Sequence, residues 1–161
     1  MREPLASVSG SEDPYAAVAA EIAAVVEGET NRVARMASVA ALLTEAFPRF
    51  SWTGFYIVER PGELVVGPYQ GRLGCLRIAF GRGVCGTAAA KGETIIVPDV
   101  EAFAGHIACD ARSRSEIVVP VFDASHALIA VLDVDSTERA AFSQVDAHGL
   151  EAIVAQVFAV A

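Results

Sequence analysis

The run LIAVLDVDS, residues 128 to 136, ends in alternation: Leu132 and Val134 project to one side of an extended chain, Asp133 and Asp135 to the other. SEIVVPVFD, 115 to 123, precedes it across a short turn, and the two predict a hairpin. SWTGFYIVER, 51 to 60, is rich in aromatic and β-branched residues and predicts another strand. Pro61-Gly62 turns it into ELVVGPYQG, 63 to 71, antiparallel because the connection is short. CLRIAF, 75 to 80, and TIIVPDV, stopped at Pro98, predict two shorter strands.

Helical spacing predicts two helices at 14 to 28 and 30 to 47, split at Gly28. The second carries a stripe of Val33, Met36, Ala37, Ala40, Leu43, Ala46 and Phe47, with Thr30 as its N-cap and Pro48 at its end. A glycine-rich turn feeds a short helix at 83 to 91, with Gly92 past its end. Ser143 and Asp146 resemble a capping box opening an amphipathic helix that runs to about residue 160. EAFAGHIACDARSR, 101 to 114, reads as irregular or briefly helical. Residues 1 to 13 read as a loose leader and 14 to 161 as a single domain. Hairpin-length links and helices at both ends give an α+β fold, its sheet largely antiparallel and covered on one face.

Composition narrows the function. The 161 residues carry 12 basic and 20 acidic side chains, net −8, which makes nucleic acid a poor partner. No run approaches 18 uninterrupted apolar residues, so no membrane span is expected, and the opening residues lack the apolar core of a signal peptide. Three cysteines, Cys75, Cys85 and Cys109, are an odd count without a secretory signal. A reducing cytoplasm and a transient rather than structural disulfide are expected.

Cys109 stands in HIACDARSRSE among charges and loop formers. A free thiol has a pKa of about 8.5, and lowering it by two units takes about 2.7 kcal/mol of preferential anion stabilisation. Arg112 and Arg114 are the local cations that could supply it, with Asp110 opposing them. A reactive thiol and a quiet surface cysteine are both open. Cys75 and Cys85 read either as ordinary buried cysteines or as thiols that resolve an oxidised Cys109. Zinc has weak support, since the only close-spaced pair is His106 with Cys109. FGRGVCG, 80 to 86, lacks the phosphate-loop spacing but offers a helix N-terminus to an anion such as a ligand carboxylate. Asp133 and Asp135 read as a strand end in solvent, a metal pair or a seat for an ammonium group, with Glu116 able to join the same face. Trp52 and Tyr56 share a strand face, either as core or as the apolar wall of a small-ligand site. His126 and His148 suggest no role.

Five stretches together resemble the free methionine-(R)-sulfoxide reductases, stand-alone members of the GAF-domain superfamily. They are WTGFY at 52–56, GPYQG at 67–71, RIAFGRGVCGTAA at 77–89, HIACDARSRSEIVVP at 106–120 and LIAVLDVDS at 128–136. The resemblance spans about residues 30 to 158. It implies a six-stranded antiparallel sheet flanked by helices, a homodimer, and reduction of free L-methionine-(R)-S-oxide with thioredoxin as electron donor and no cofactor. It implies Cys109 as nucleophile, Cys75 as the principal resolving thiol and Cys85 as an auxiliary one. Glu116, Asp133 and Asp135 would line the substrate site, and Trp52 and Tyr56 would bound its apolar side. Clustered acids raise one another's pKa, so one can stay protonated near pH 7 and act as proton donor, and Glu116 is the favoured one. The alternative is a ligand-sensing GAF module without chemistry. Two departures stand out: Ala79 where proline is expected, and a turn DASHA, 123 to 127, one residue longer than expected. A longer turn threatens the register of Asp133 against Glu116.

Overall fold

In the computed structural model, which describes residues 13–160, the alternation of the last hairpin is realised as β5 (Ser115–Phe122) and β6 (Leu128–Ser136). β1 (Trp52–Arg60) pairs with β6, and β2 (Glu63–Gln70) folds back on β1. Two three-residue strands, β3 (Arg77–Ala79) and β4 (Ile95–Val97), close the edges. The sheet order is β3-β2-β1-β6-β5-β4, antiparallel throughout. Short edge strands leave little unpaired backbone for another chain to add to.

Helices α1 (Ala16–Val25), α2 (Arg32–Ala46) and α4 (Gln144–Phe158) cover one face. Ile22, Leu43, Leu150 and Ile153 from these helices meet Phe55, Ile117, Leu132 and Val134 from the strands in one apolar layer. Burying one such side chain contributes about 1.5–3 kcal/mol. Helix α3 (Gly83–Lys91) and the loops around it lie against the other face, over Leu64, Ile78, Val118 and Val131. The architecture is α+β, as the strand pattern predicts.

The α2 expectations shift in detail. Asn31, not Thr30, is the N-cap: its side chain accepts from the Ala34 N–H at 3.0 Å, so the helix begins one residue later. Val33, Ala37 and Ala46 of the predicted stripe are exposed, and Val39 is buried with Met36, Ala40 and Leu43. Spacings of three and four from Met36 define the covered side. The capping box at Ser143 forms as expected, with Asp146 accepting from the Ser143 N–H at 2.8 Å. Gly92 takes a left-handed conformation at the end of α3 (φ 65°). The proposed leader lies, but for residue 13, outside the described residues.

The longer β5–β6 turn is absorbed locally. Asp123 accepts from the Ser125 and Ala127 N–H groups, and a register irregularity falls between Val121 and Phe122. From Ser115 to Val121 the pairing is continuous, with Glu116 opposite Asp135 and Val118 opposite Asp133.

Candidate functional site

The face of the sheet under α3 carries the acids. Glu116 and Asp135 face each other across β5 and β6, while Trp52 and Gly54 of β1 stand opposite Asp135 and Asp133. The period of two that sends Leu132 and Val134 into the helix layer therefore sends both aspartates to one pocket. Its lining includes Trp52, Tyr56, Cys85, Cys109, Glu116, Asp133 and Asp135. The remaining predicted thiol, Cys75, is joined to Cys109 in a disulfide with Cα atoms 5.5 Å apart, spanning the loop before β3 and the loop before β5. Cys109 is exposed and Cys75 half-buried, whereas Cys85 is a buried free thiol in the first turn of α3.

Trp52 lies between two tyrosines, its ring 5.6 Å from Tyr56 and 5.0 Å from Tyr69, both nearly parallel. Its indole N–H donates to the Arg72 carbonyl at 2.8 Å, which satisfies its polar atom. Gly74 is required beside it: a Cβ there would come within 2.9 Å of the Trp52 ring and 3.1 Å of the Tyr56 hydroxyl oxygen. Gly54 meets the same limit, since any side chain would collide with the Tyr69 backbone and Cβ. Two glycines thus let the loop and β2 close onto the aromatic wall.

Burial raises the proton affinity of the acids. Glu116 is pushed up to about 8, first by burial and then by the charge of Asp135. Asp133 is raised by burial and by Glu116, and Asp135 by burial and the charges of Asp133 and Asp110. The Cys85 thiol is raised in the same way, so it stays protonated while its sulfur sits 3.9 Å from Glu116 Oε1. Asp133 Oδ1 is buried with no hydrogen-bond partner among the described residues.

Arg112 and Arg114, the local cations that could have stabilised a Cys109 thiolate, are engaged elsewhere. Asp110 accepts from the Arg112 backbone N–H at 2.9 Å, folding the turn so that the Arg112 guanidinium binds the same carboxylate at 2.9 Å. Arg114 donates to the carbonyls of Ala111 and Ser113. Asp110 is consequently held below the usual carboxylate range.

Sequence reasoning missed Arg82, His106, Ile107 and Ser113 as lining residues. His106 Nε2 lies 3.4 Å from Glu116 Oε2, and burial lowers its pKa, favouring the neutral ring. The loop-borne residues carry no periodicity, and the only signal for His106 was its closeness to Cys109 along the chain. The loose His106–Cys109 pair, which gave zinc its weak support in the sequence, does not form a group in the structure, because Cys109 is in the disulfide. Gly83, Val84 and Cys85 bring the first turn of α3 to the pocket, and no side chain caps it. Its orphan N–H groups suit an anion. One pocket therefore offers an anion seat, an acidic floor, an apolar wall and a redox-capable cystine, a set matched to a small zwitterion.

A family model described as GAF domain matches residues 17–160. A Dictyostelium discoideum protein named GAF domain-containing protein A is 46% identical, over 96% of this chain and 97% of its own. The class is thus a GAF domain. Free methionine-R-sulfoxide reductase of Escherichia coli is 46% identical over 89% of this chain and 86% of its own. The X-ray structure of free methionine-R-sulfoxide reductase from Neisseria meningitidis, in complex with its substrate, shares the fold at a TM-score of 0.86. It is 49% identical and covers 92% of this chain and 90% of its own. Within the GAF domains, the chain belongs to the free methionine-R-sulfoxide reductase family.

Proposed function

We propose that this protein, a single domain over residues 14–161, reduces free L-methionine-(R)-S-oxide to L-methionine. The observation that carries the reading is the Cys75–Cys109 disulfide, with Cys109 and three acids lining one aromatic-walled pocket. The relatives named above supply the substrate class.

In the reduced protein the Cys109 thiolate attacks the sulfoxide sulfur, and a proton goes to the sulfoxide oxygen. The oxygen passes to Cys109 as a sulfenic acid and methionine leaves. Cys75 then attacks the Cys109 sulfur, forming the disulfide and expelling the oxygen as water. A thioredoxin-class dithiol reduces that disulfide, and the exposure of Cys109 suits attack from outside. Cys85, buried and held as a thiol, is placed to exchange a hydrogen bond with Glu116 and has an auxiliary part. Glu116 is the proton donor, because a pKa of about 8 keeps it protonated near neutrality. Asp133 and Asp135 take the substrate ammonium, the first turn of α3 takes its carboxylate, and Trp52 and Tyr56 pack its methyl end. A peptide-bound methionine sulfoxide lacks the free ammonium and would leave buried carboxylates unpaired, a discrimination on the order of 10⁴-fold. A homodimer and a reducing, cytoplasmic setting belong to the same reading. Among the described residues no helix is long and apolar enough to cross a membrane.

The test is turnover of separated R and S diastereomers of free methionine sulfoxide, first with dithiothreitol and then with thioredoxin. Only the R form should be consumed. Cys109→Ser should abolish even a single turnover, while Cys75→Ser should complete the first and fail to recycle. A Cys109→Ser protein that still reduces one equivalent overturns the assignment. A count of free thiols that stays constant when sulfoxide is added makes the protein a ligand sensor instead.

A further inference from the structure

Cys85, Glu116 and Asp133 each point one ligand atom into the pocket, and these atoms lie within 4.8 Å of one another. The three residues are buried to 5, 6 and 5% exposure. The Cys85 sulfur is 3.9 Å from Glu116 Oε1. Around a tetrahedral zinc ion, with bonds of about 2.3 Å to sulfur and 2.1 Å to oxygen, those two ligands stand about 3.6 Å apart. A shift of a few tenths of an ångström closes that difference for the Cys85–Glu116 pair, and the Asp133 ligand atom lies within 4.8 Å of both. Asp133 Oδ1, buried in this cluster with no hydrogen-bond partner among the described residues, is a second and separate sign. A desolvated carboxylate oxygen without a donor is incomplete, and a cation completes it.

We propose that Cys85, Glu116 and Asp133 form a binding site for a thiophilic divalent cation of the zinc class, in competition with the substrate ammonium. One sulfur and two carboxylates suit a borderline-soft ion, whereas magnesium and calcium take all-oxygen shells of six or more ligands. On binding, the Cys85 thiol gives up its proton to solvent and a sulfur–metal bond forms, with no change of oxidation state. The fourth vertex faces the pocket and is filled by water. His106 Nε2, 3.4 Å from Glu116 Oε2, steadies the second carboxylate oxygen from outside the shell. The competition rests on the function proposed above; the binding itself does not.

The oxidised protein isolates the question. The chain has three cysteines, and with Cys75 and Cys109 joined, Cys85 is its one thiol. Titration of the oxidised, metal-free protein with cadmium chloride should raise a thiolate-to-cadmium charge-transfer band that saturates at one equivalent. Zinc chloride should bleach the band by displacement. Cys85→Ser should abolish it, and Asp133→Asn and Glu116→Gln should each weaken cadmium binding at least tenfold. Free methionine sulfoxide should weaken cadmium binding in proportion to its concentration. Absence of the band in the oxidised wild-type protein, a measurement that needs no variant, overturns the site. A band that methionine sulfoxide leaves unmoved, in a protein that turns the compound over when metal-free and reduced, overturns the competition. A competent metal site in a protein without turnover would instead count against the reductase reading.

Discussion

Leu132 and Asp133 are neighbours on β6, yet they meet opposite surroundings. Leu132 is fully buried among the side chains of the helix layer. Asp133, nearly as buried, faces acids, a thiol and a pocket, with one oxygen unpartnered. The same alternation separates Phe55 from Tyr56 on β1 and Ile117 from Glu116 on β5. One side of the sheet gains stability from close apolar packing. The other holds groups whose burial is unfavourable by itself and is tolerated for what it can bind.

Substitutions on the two faces should separate stability from activity. Asp133→Asn should lower kcat/KM for free methionine sulfoxide by about 10³-fold, because the ammonium loses its charged seat. The same change should raise stability to urea by about 1 kcal/mol by thinning a cluster of buried acids. Leu132→Ala should do the reverse, costing about 2–5 kcal/mol and leaving the kcat/KM of the folded fraction close to wild type. If Asp133→Asn is as destabilising as Leu132→Ala, the two faces do not differ in the way described.

The pH dependence sharpens the contrast. Glu116 has an ordinary pKa of 4.5 and is raised to about 8 in the fold. Below the lower value both states hold the proton. As pH rises through the window the unfolded chain releases its proton while the fold retains it, so stability falls, by up to about 1.4 kcal/mol per pH unit. Above the upper value the loss is complete and the curve levels. Asp133 and Asp135 are shifted in the same direction and add to the slope. Denaturation midpoints collected across this range should fall with pH in the wild type and fall less steeply in Glu116→Gln. Turnover that depends on the Glu116 proton should decline on the alkaline side of about 8, and the variant should lack that limb.

Much of this division was legible in the sequence because it follows strand period. Asp133 with Asp135, and Trp52 with Tyr56, were each assigned to one face from spacing, and they line one pocket. The Ser143 capping box was equally local and formed as read. What escaped was set by loops. His106, Ile107 and Ser113 reach the pocket through an irregular segment whose path no periodicity describes. Arg112 was one candidate cation for Cys109, and a two-residue turn gives it to Asp110 instead. The α2 cap moved from Thr30 to Asn31 because either side chain can cap, and only the backbone path chooses. Burial at Glu116 was also illegible, since it depends on α3 and the 103–114 loop closing from above.

The cystine has a reach beyond chemistry. Cys75 and Cys109 are 34 positions apart, and the span they enclose contains β3, α3 and β4, including both edges of the sheet. Cross-linking a ring of that length restricts the unfolded chain by about 4 kcal/mol in the chain-entropy account. Each catalytic cycle would then alternate between a less stable and a more stable molecule. Heat or protease resistance would report how far a population has been discharged, and the spent form would outlast the ready one.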